Sequence, residues 1–472
     1  MKFDLKDPWF MSIVSAFLGA LLAGVTLYYL FEYKKERVSE NILITTINNA
    51  DKLLEKDLTE EALSIYLDAL KTISPRQQKL YGHIKTKEGA CYLRLSERGD
   101  KEENINKAIR AFEESLKIYS ERDYPREFAG LKINLGTAHK ELSVVRDKEE
   151  NISKAIWAFV EALEIYRVDE FPLEYASIQN DLGTAYRELA EVRDKEENTH
   201  KAIRALSEAL TIHSEEAYPE DYASIQNNLG TAYSELSQVR DREENIYRAI
   251  RAFEKALTIY TVEEHPADYA TVQNNLGTAY RELSGVRDKE ENIQKAITAY
   301  GEALKIHTDE NYPANYAGIQ NNLGTAYGDL AKVKERGINI RKAIAAFEEA
   351  LRIYTVEKYP VNYATIQNNL GTAYRELSAA GEGKNKLDSA VRAFEEALKI
   401  YTAEKYPVNY ATTQNNLGMT YHELSEIRDR EKNVEKAIFS YEEALKIFTP
   451  DKYPLYYEGV MENLARIRGS GK

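Results

Sequence analysis

Apolar residues recur along this chain at helical spacing. In the segment 218–264, Tyr222, Leu229 and Leu236 belong to a run of apolar positions three or four residues apart, which marks one face of an α-helix. A second run, from Ala249 to Tyr260, has the same spacing. The pattern predicts two amphipathic helices joined as an antiparallel hairpin.

A charged stretch, RDREEN, separates the two helices of this hairpin. We expect it to be a solvated connecting loop, in which Asp241 caps the second helix and Glu244 stands three residues later, as in a capping box. Pro219 suits the first turn of the first helix, because its missing N–H group has no partner there to lose.

Glycine recurs in the middle of the first helix with an interval of 47 residues, as from Gly183 to Gly230. Such a glycine costs about 1 kcal/mol relative to alanine, so the repetition predicts that the two helices of each hairpin cross there without room for a side chain. Proline at the start of the first helix keeps the same interval. The glycines are Gly89, Gly136, Gly183, Gly230, Gly277, Gly324, Gly371 and Gly418.

Hairpins of this kind cannot bury their apolar faces alone, so they stack into an α-solenoid with a continuous core. We expect a short capping unit at 41–75, eight long units at 76–452, and a C-terminal capping helix with a tail at 453–472. Ala465 stands in the glycine register of that last helix. The predicted fold class is all-α.

The repeating unit resembles the tetratricopeptide repeat family. Leu229, Gly230 and Tyr233 match its first-helix signature, and Ala249 and Phe253 match the second helix, as does Ala256. Family units are typically 34 residues long, so these units are longer, as in arrays beside peptidase-like modules and, more loosely, in kinesin light chains. The resemblance implies a right-handed superhelix with a concave groove lined by first helices.

The N-terminal region has a different pattern. After a short tail at 1–7, residues 8–31 carry no charge, and a helix of this length would extend about 36 Å, enough to cross a bilayer core of about 30 Å. We expect a transmembrane helix at 8–31 and a juxtamembrane linker at 32–40, hence a single-pass membrane protein with a cytoplasmic solenoid. A cleaved signal peptide is the alternative.

Asparagines form two ladders along the predicted first helices. Asn228 lies with Thr231 on a flank of the apolar face, and Asn227 lies beside them. An amide both donates and accepts hydrogen bonds, so the resemblance and the ladders together predict a groove that holds an extended peptide. The alternative is that the amides bond one another between repeats, although two adjacent asparagines favour ligand binding. The predicted residues are Asn180, Asn227, Asn228, Thr231, Asn274, Asn275, Asn321, Asn322, Asn368, Asn369, Asn415 and Asn416.

Composition narrows the chemistry. A net charge of −14 argues against a protein that binds nucleic acid. The single cysteine, Cys91, excludes an intrachain disulfide. His139, His213, His265 and His307 replace tyrosines of sister units, so we expect packing residues and no metal site. Without a phosphate loop or nucleophile motif, we expect neither an enzyme nor a cofactor.

These features predict a membrane-anchored adaptor that binds proteins or extended peptides. Two alternatives stay open. One is a structural protein that assembles with copies of itself at a membrane, and the other is a regulatory sensor that transmits peptide binding to a separate effector.

Overall fold

The computed structural model describes residues 8–381 and 386–469. It describes their side chains as well, except those of residues 8–20 and 30–39. Within these residues the fold is all-α, with nineteen helices and no strand. Three helices lie at the ends of the array: α1 (Pro8–Glu55), α2 (Thr59–Thr72) and α19 (Pro454–Gly469).

Sixteen helices lie between these end helices along the chain, as alternating first and second helices of the repeating unit. The first helices of the hairpins are α3 (Gln78–Ser96), α5 (Pro125–Ser143), α7 (Pro172–Ala190), α9 (Pro219–Ser237), α11 (Pro266–Ser284), α13 (Pro313–Ala331), α15 (Pro360–Ala379) and α17 (Pro407–Ser425). The second helices are α4 (Lys101–Leu116), α6 (Lys148–Ile165), α8 (Lys195–Ala209), α10 (Arg242–Ala256), α12 (Lys289–Leu304), α14 (Arg336–Leu351), α16 (Lys386–Leu398) and α18 (Arg430–Leu445).

The chain forms two compact units, Met1–Asn198 and Thr199–Lys472. Within each unit, a first helix packs on its own second helix, and that second helix packs on the next first helix. The core between these helices consists of alanine, leucine and isoleucine side chains together with aromatic rings such as Phe253 and Tyr300. Both units are therefore all-helical solenoids of stacked hairpins.

The predicted crossing at the repeating glycines is confirmed. A Cβ atom at Gly324 would lie 2.6 Å from the Phe347 ring, and one at Gly230 would lie 2.6 Å from Phe253. A Cβ atom would likewise meet an aromatic ring of the following second helix at Gly89, Gly136, Gly277, Gly371 and Gly418. Since no side chain fits in such a gap, glycine is required where the two helices cross.

The predicted cap at Asp241 is wrong. Asp241 precedes α10 in the left-handed region, with φ of 41°, and its side chain makes no capping hydrogen bond. Aspartate tolerates this conformation better than most residues. Asn245 stabilises the turn instead, because its side chain is buried and its Nδ2 donates to the carbonyl of Arg240 at 2.8 Å. The same bond recurs in other units, for example from Asn292 to Arg287.

The N-terminal helix α1 continues without interruption from Pro8 to Glu55. It therefore crosses the expected boundaries at 31 and 40. Among the residues that the structure describes, no helix has an apolar stretch long enough to span a bilayer, so the expected single-pass localisation is wrong. Bilayer crossing needs about 20 consecutive apolar residues. Within the expected span, the structure describes the side chains of residues 21–29. The side chains of residues 8–20, 30 and 31 lie outside those that it describes, and so does that part of the expectation.

The C-terminal helix α19 packs on α18 and buries Val460, Leu464 and Ile467. Ala465, in the glycine register, is exposed. This helix therefore covers the apolar face of the last hairpin.

Candidate ligand face on the first helices

The predicted asparagines bond one another between repeats. The Nδ2 of Asn275 on α11 donates to the Oδ1 of Asn227 on α9 at 3.0 Å. The same bond joins Asn322 to Asn274 at 3.1 Å. It recurs in the pairs Asn369–Asn321, Asn416–Asn368 and Asn463–Asn415, at 3.1, 3.3 and 3.2 Å.

This geometry explains why two asparagines stand side by side. On α11, α13, α15 and α17 the second asparagine donates to the preceding first helix, and the first asparagine accepts from the following one. On α19, Asn463 donates to Asn415, and the residue before it is Glu462 instead of a second amide. Adjacent asparagines are thus what pairing between repeats requires, and adjacency alone does not indicate a ligand.

Pairing leaves part of the hydrogen-bonding capacity of Asn227 and Asn275 unused. An asparagine side chain has two N–H donors and an acceptor oxygen. Within the described residues, the amide nitrogen of Asn227 and the amide oxygen of Asn275 bond no other protein group. Both side chains are partly exposed. The ladder therefore presents oriented donors and acceptors beside the bonds that hold it in place.

The other predicted residues lie on the same kind of helix. Asn180 is on α7, while Asn228 and Thr231 are on α9. The Thr231 hydroxyl donates to the carbonyl of Asn227 at 3.0 Å. Thr278 repeats this bond to Asn274 at 3.1 Å. The threonine donor is thus used within its own helix.

A second contact between repeats lies further along the first helices and pairs opposite charges. Arg281 on α11 lies 3.8 Å from Asp329 on α13, and Arg375 on α15 lies 3.3 Å from Glu423 on α17. Burial raises the pKa of the Glu423 carboxyl, and the Arg375 guanidinium opposes that shift. This series was not predicted from the sequence, although a basic residue followed by an acid recurs in the same register of several units.

Another repeated groove, which was not predicted from the sequence, is lined by second helices together with first helices. One groove, of about 670 Å³, is lined by Leu135, Lys154 and Trp157. Another, of about 700 Å³, has Lys295 at the position of Lys154. Trp157 is 68% exposed, where another unit has Arg251. These grooves carry few amides, so they differ chemically from the ladder.

The histidines take the places of aromatic residues. His307 lies against Tyr312 with ring centroids 4.7 Å apart, and His265 lies edge-on to Tyr260. Burial lowers the pKa of His307 and that of His139. In the part of the chain that the structure describes, no group of histidine, cysteine and acidic side chains is arranged to hold a metal ion.

Several solved structures are similar to this chain. The apo form of the quorum sensor NprR from B. thuringiensis is 15% identical, with coverage of 85% of this chain and 99% of that chain and a TM-score of 0.49. Apo RapI is 14% identical, and the match covers 87% of this chain and 98% of RapI with a TM-score of 0.48. A signal transduction ATPase with a tetratricopeptide repeat sensor, from Pyrococcus horikoshii, is 18% identical. The match covers 85% of this chain and 56% of the ATPase, with a TM-score of 0.49.

No curated protein sequence matches this chain. Residues 420–448 match the family model of the tetratricopeptide repeat. This segment contains the end of α17 and all of α18, which pack on each other as a hairpin. The hairpin formed by α17 and α18 is therefore similar to a tetratricopeptide repeat.

Proposed function

We propose that this protein is a scaffold that binds partner proteins through an extended peptide segment laid along the asparagine ladder of its first helices. The 47-residue unit is, in this proposal, a long form of the tetratricopeptide repeat. The observation that carries the proposal is the series of partly exposed amides, each fixed by one bond to a neighbouring repeat and each with donor or acceptor capacity left over.

The ladder suits a peptide backbone for a physical reason. Packed helices lie about 8–10 Å apart, and an extended chain rises about 3.3 Å per residue, so each unit meets roughly every third residue. Amides bond backbone groups whatever side chains the peptide carries. Because bonds between the repeats already orient the amides, less conformational entropy is lost when a peptide binds.

The test is capture of partners from a native lysate by the immobilised full chain and by the variant Asn275→Ala/Asn322→Ala. These substitutions also remove two bonds between repeats, so a control of matched stability is essential. Asn292→Ala/Asn339→Ala removes two buried asparagine bonds at the starts of second helices, away from the ladder.

The proposal expects a partner that the wild type and the control variant retain and the ladder variant loses. A partner retained equally by all three proteins would contradict it. A partner lost equally by both variants would also contradict it, because the loss would then follow from stability alone.

A self-associating structural protein is the second candidate, and one observation favours it. On α19, Leu455 is 81% exposed, and Met461 is 39% exposed where Gln226 of a sister unit is only 4% exposed. An apolar face of this kind at the end of an array can receive another copy. Sedimentation of the full chain over a range of concentrations, compared with Leu455→Ser/Met461→Gln, tests this. Larger assemblies in the wild type alone would support it, and identical monomers would exclude it.

A further inference from the structure

The charge series between first helices is interrupted at Gly328. This residue stands 47 positions after Arg281 and 47 before Arg375, so it occupies the place of an arginine. Each of those arginines faces an acid 48 residues later, Asp329 in one case and Glu423 in the other. By the same offset, the acid that corresponds to Gly328 is Glu376.

The Glu376 carboxylate lacks the arginine that Asp329 and Glu423 face. Within the described residues it has no ion-pair or hydrogen-bond partner, whereas Glu423 lies 3.3 Å from the Arg375 guanidinium. The nearby acid Asp329 is already paired with Lys332 at 2.8 Å, and it also faces Arg281. Glu376 is therefore the acid in this neighbourhood that is left to receive a charge from outside.

A pocket opens where the missing arginine would lie. It has a volume of about 130 Å³ and lies among α13, α14 and α15. Gly328 and Glu376 line it together with Asn369 of the ladder, and Ile340 and Phe347 provide an apolar wall. Lys332 also lines this pocket.

Close packing does not explain Gly328. A Cβ atom there would meet nothing within 4 Å, whereas a Cβ at Gly324, one turn earlier on the same helix, would meet the Phe347 ring at 2.6 Å. A glycine inside a helix costs about 1 kcal/mol relative to alanine, and here no crossing helix requires it. The consequence that the structure does show is an open pocket.

We propose that this pocket binds the guanidinium group of an arginine side chain presented by the partner peptide. Glu376 would accept the guanidinium N–H groups, and a carboxylate matches that planar fork better than it matches an ammonium group. The apolar wall would contact the methylene stem. Asn369 places the pocket beside the ladder, so the inference rests on the proposed function and adds one side-chain preference to it.

The experiment uses the full chain and a fluorescein-labelled, end-blocked heptapeptide with one central arginine among alanines and serines. A second peptide carries citrulline, which has nearly the same shape without the charge, and a third carries lysine. Binding is measured by fluorescence anisotropy. The proposal expects the arginine peptide to bind at least tenfold more tightly than the citrulline peptide, and more tightly than the lysine peptide.

Two variants test the pocket itself. Gly328→Arg fills it with the chain's own guanidinium, and Glu376→Gln removes its charge; each should weaken binding of the arginine peptide about tenfold. Gly301→Arg is the matched control, because Gly301 also lies inside a helix, on α12, with nothing within 4 Å of a Cβ atom and outside the lining of this pocket. That variant should bind like the wild type.

Undiminished binding by Gly328→Arg and Glu376→Gln would overturn the inference, and so would equal binding of the arginine peptide and either other peptide. Such results leave the proposed function standing if partner capture still depends on Asn275 and Asn322. If capture does not depend on those asparagines while the arginine peptide still needs Glu376, the ladder proposal fails and the pocket stands.

Discussion

Two glycines on one helix should respond to alanine in opposite ways. Gly324 and Gly328 are one turn apart on α13, and both gain about 1 kcal/mol of helix propensity when alanine replaces them. At Gly328 a Cβ atom meets nothing within 4 Å. Gly328→Ala should therefore stabilise the protein by about 0.5–1 kcal/mol.

At Gly324 the same change forces a clash. The new Cβ atom would lie 2.6 Å from the Phe347 ring, which is only 3% exposed and cannot swing into solvent. Overpacking of this kind costs about 1–3 kcal/mol, which exceeds the gain in propensity. Gly324→Ala should therefore destabilise the protein by about 1–2 kcal/mol, mainly in the hairpin formed by α13 and α14.

The assay is urea unfolding followed by circular dichroism, together with hydrogen exchange in peptides from α13 and α14. Exchange is needed because repeat arrays can unfold locally and need not behave as a two-state system. We expect the urea midpoint to rise for Gly328→Ala and to fall for Gly324→Ala. Hydrogen exchange in α13 and α14 should be faster in Gly324→Ala than in the wild type. If both variants were stabilised, the explanation of the repeating glycines by helix crossing would be refuted.

Three further predictions concern other contacts. Asn339→Ala removes a buried bond to the carbonyl of Lys334 and should cost about 1–2 kcal/mol in urea unfolding; an unchanged midpoint would contradict its role in the turn. Arg375→Met leaves the Glu423 carboxylate without its cation, so it should cost about 1–2 kcal/mol, and a second substitution, Glu423→Gln, should restore part of the loss; additive effects would exclude coupling. Because burial lowers the pKa of His139, the unfolded state takes up protons first as the pH falls, so the contribution of His139 to stability is lost below about pH 6.5. His139→Tyr should therefore lose less stability than the wild type between pH 7 and pH 5, and equal losses would contradict this.

The hairpins could be predicted from the sequence because their signals are local and repeated. A glycine that recurs in mid-helix implies a close crossing, and the structure places an aromatic ring at that crossing. Prolines at the first helical turn likewise mark where helices such as α9 and α11 begin. Both features depend only on contacts within one hairpin, and the spacing of residues along the sequence is enough to predict them.

Contacts between repeats were harder to predict, because they depend on how one hairpin is displaced along the next. Asn275 bonds Asn227, 48 residues earlier, rather than its equivalent Asn228. That offset of one residue turns two adjacent asparagines into the donor and the acceptor of two different bonds. The spacing within the sequence is 47 at every site, so it contains no trace of the offset. For the same reason, the ion pair between Arg281 and Asp329 could not be predicted from the sequence.

The buried asparagines of the turns were missed for a different reason. The stretch RDREEN is charged, and charge favours solvent, so the sequence predicts a solvated loop. In the structure Asn245 at its end is buried and bonds a backbone carbonyl. The recurrence of asparagine four residues after aspartate was the available signal.

The proposal that partners bind along the first helices is tested most directly by photo-crosslinking. A benzoylphenylalanine is placed in the full chain at Thr325, on the first helix α13, or at Thr298, on the second helix α12 where it lines a groove of the other kind. We expect the captured partner to crosslink at Thr325 and not at Thr298. Crosslinking at Thr298 alone would assign binding to the second-helix grooves and would contradict a ligand face on the asparagine ladder.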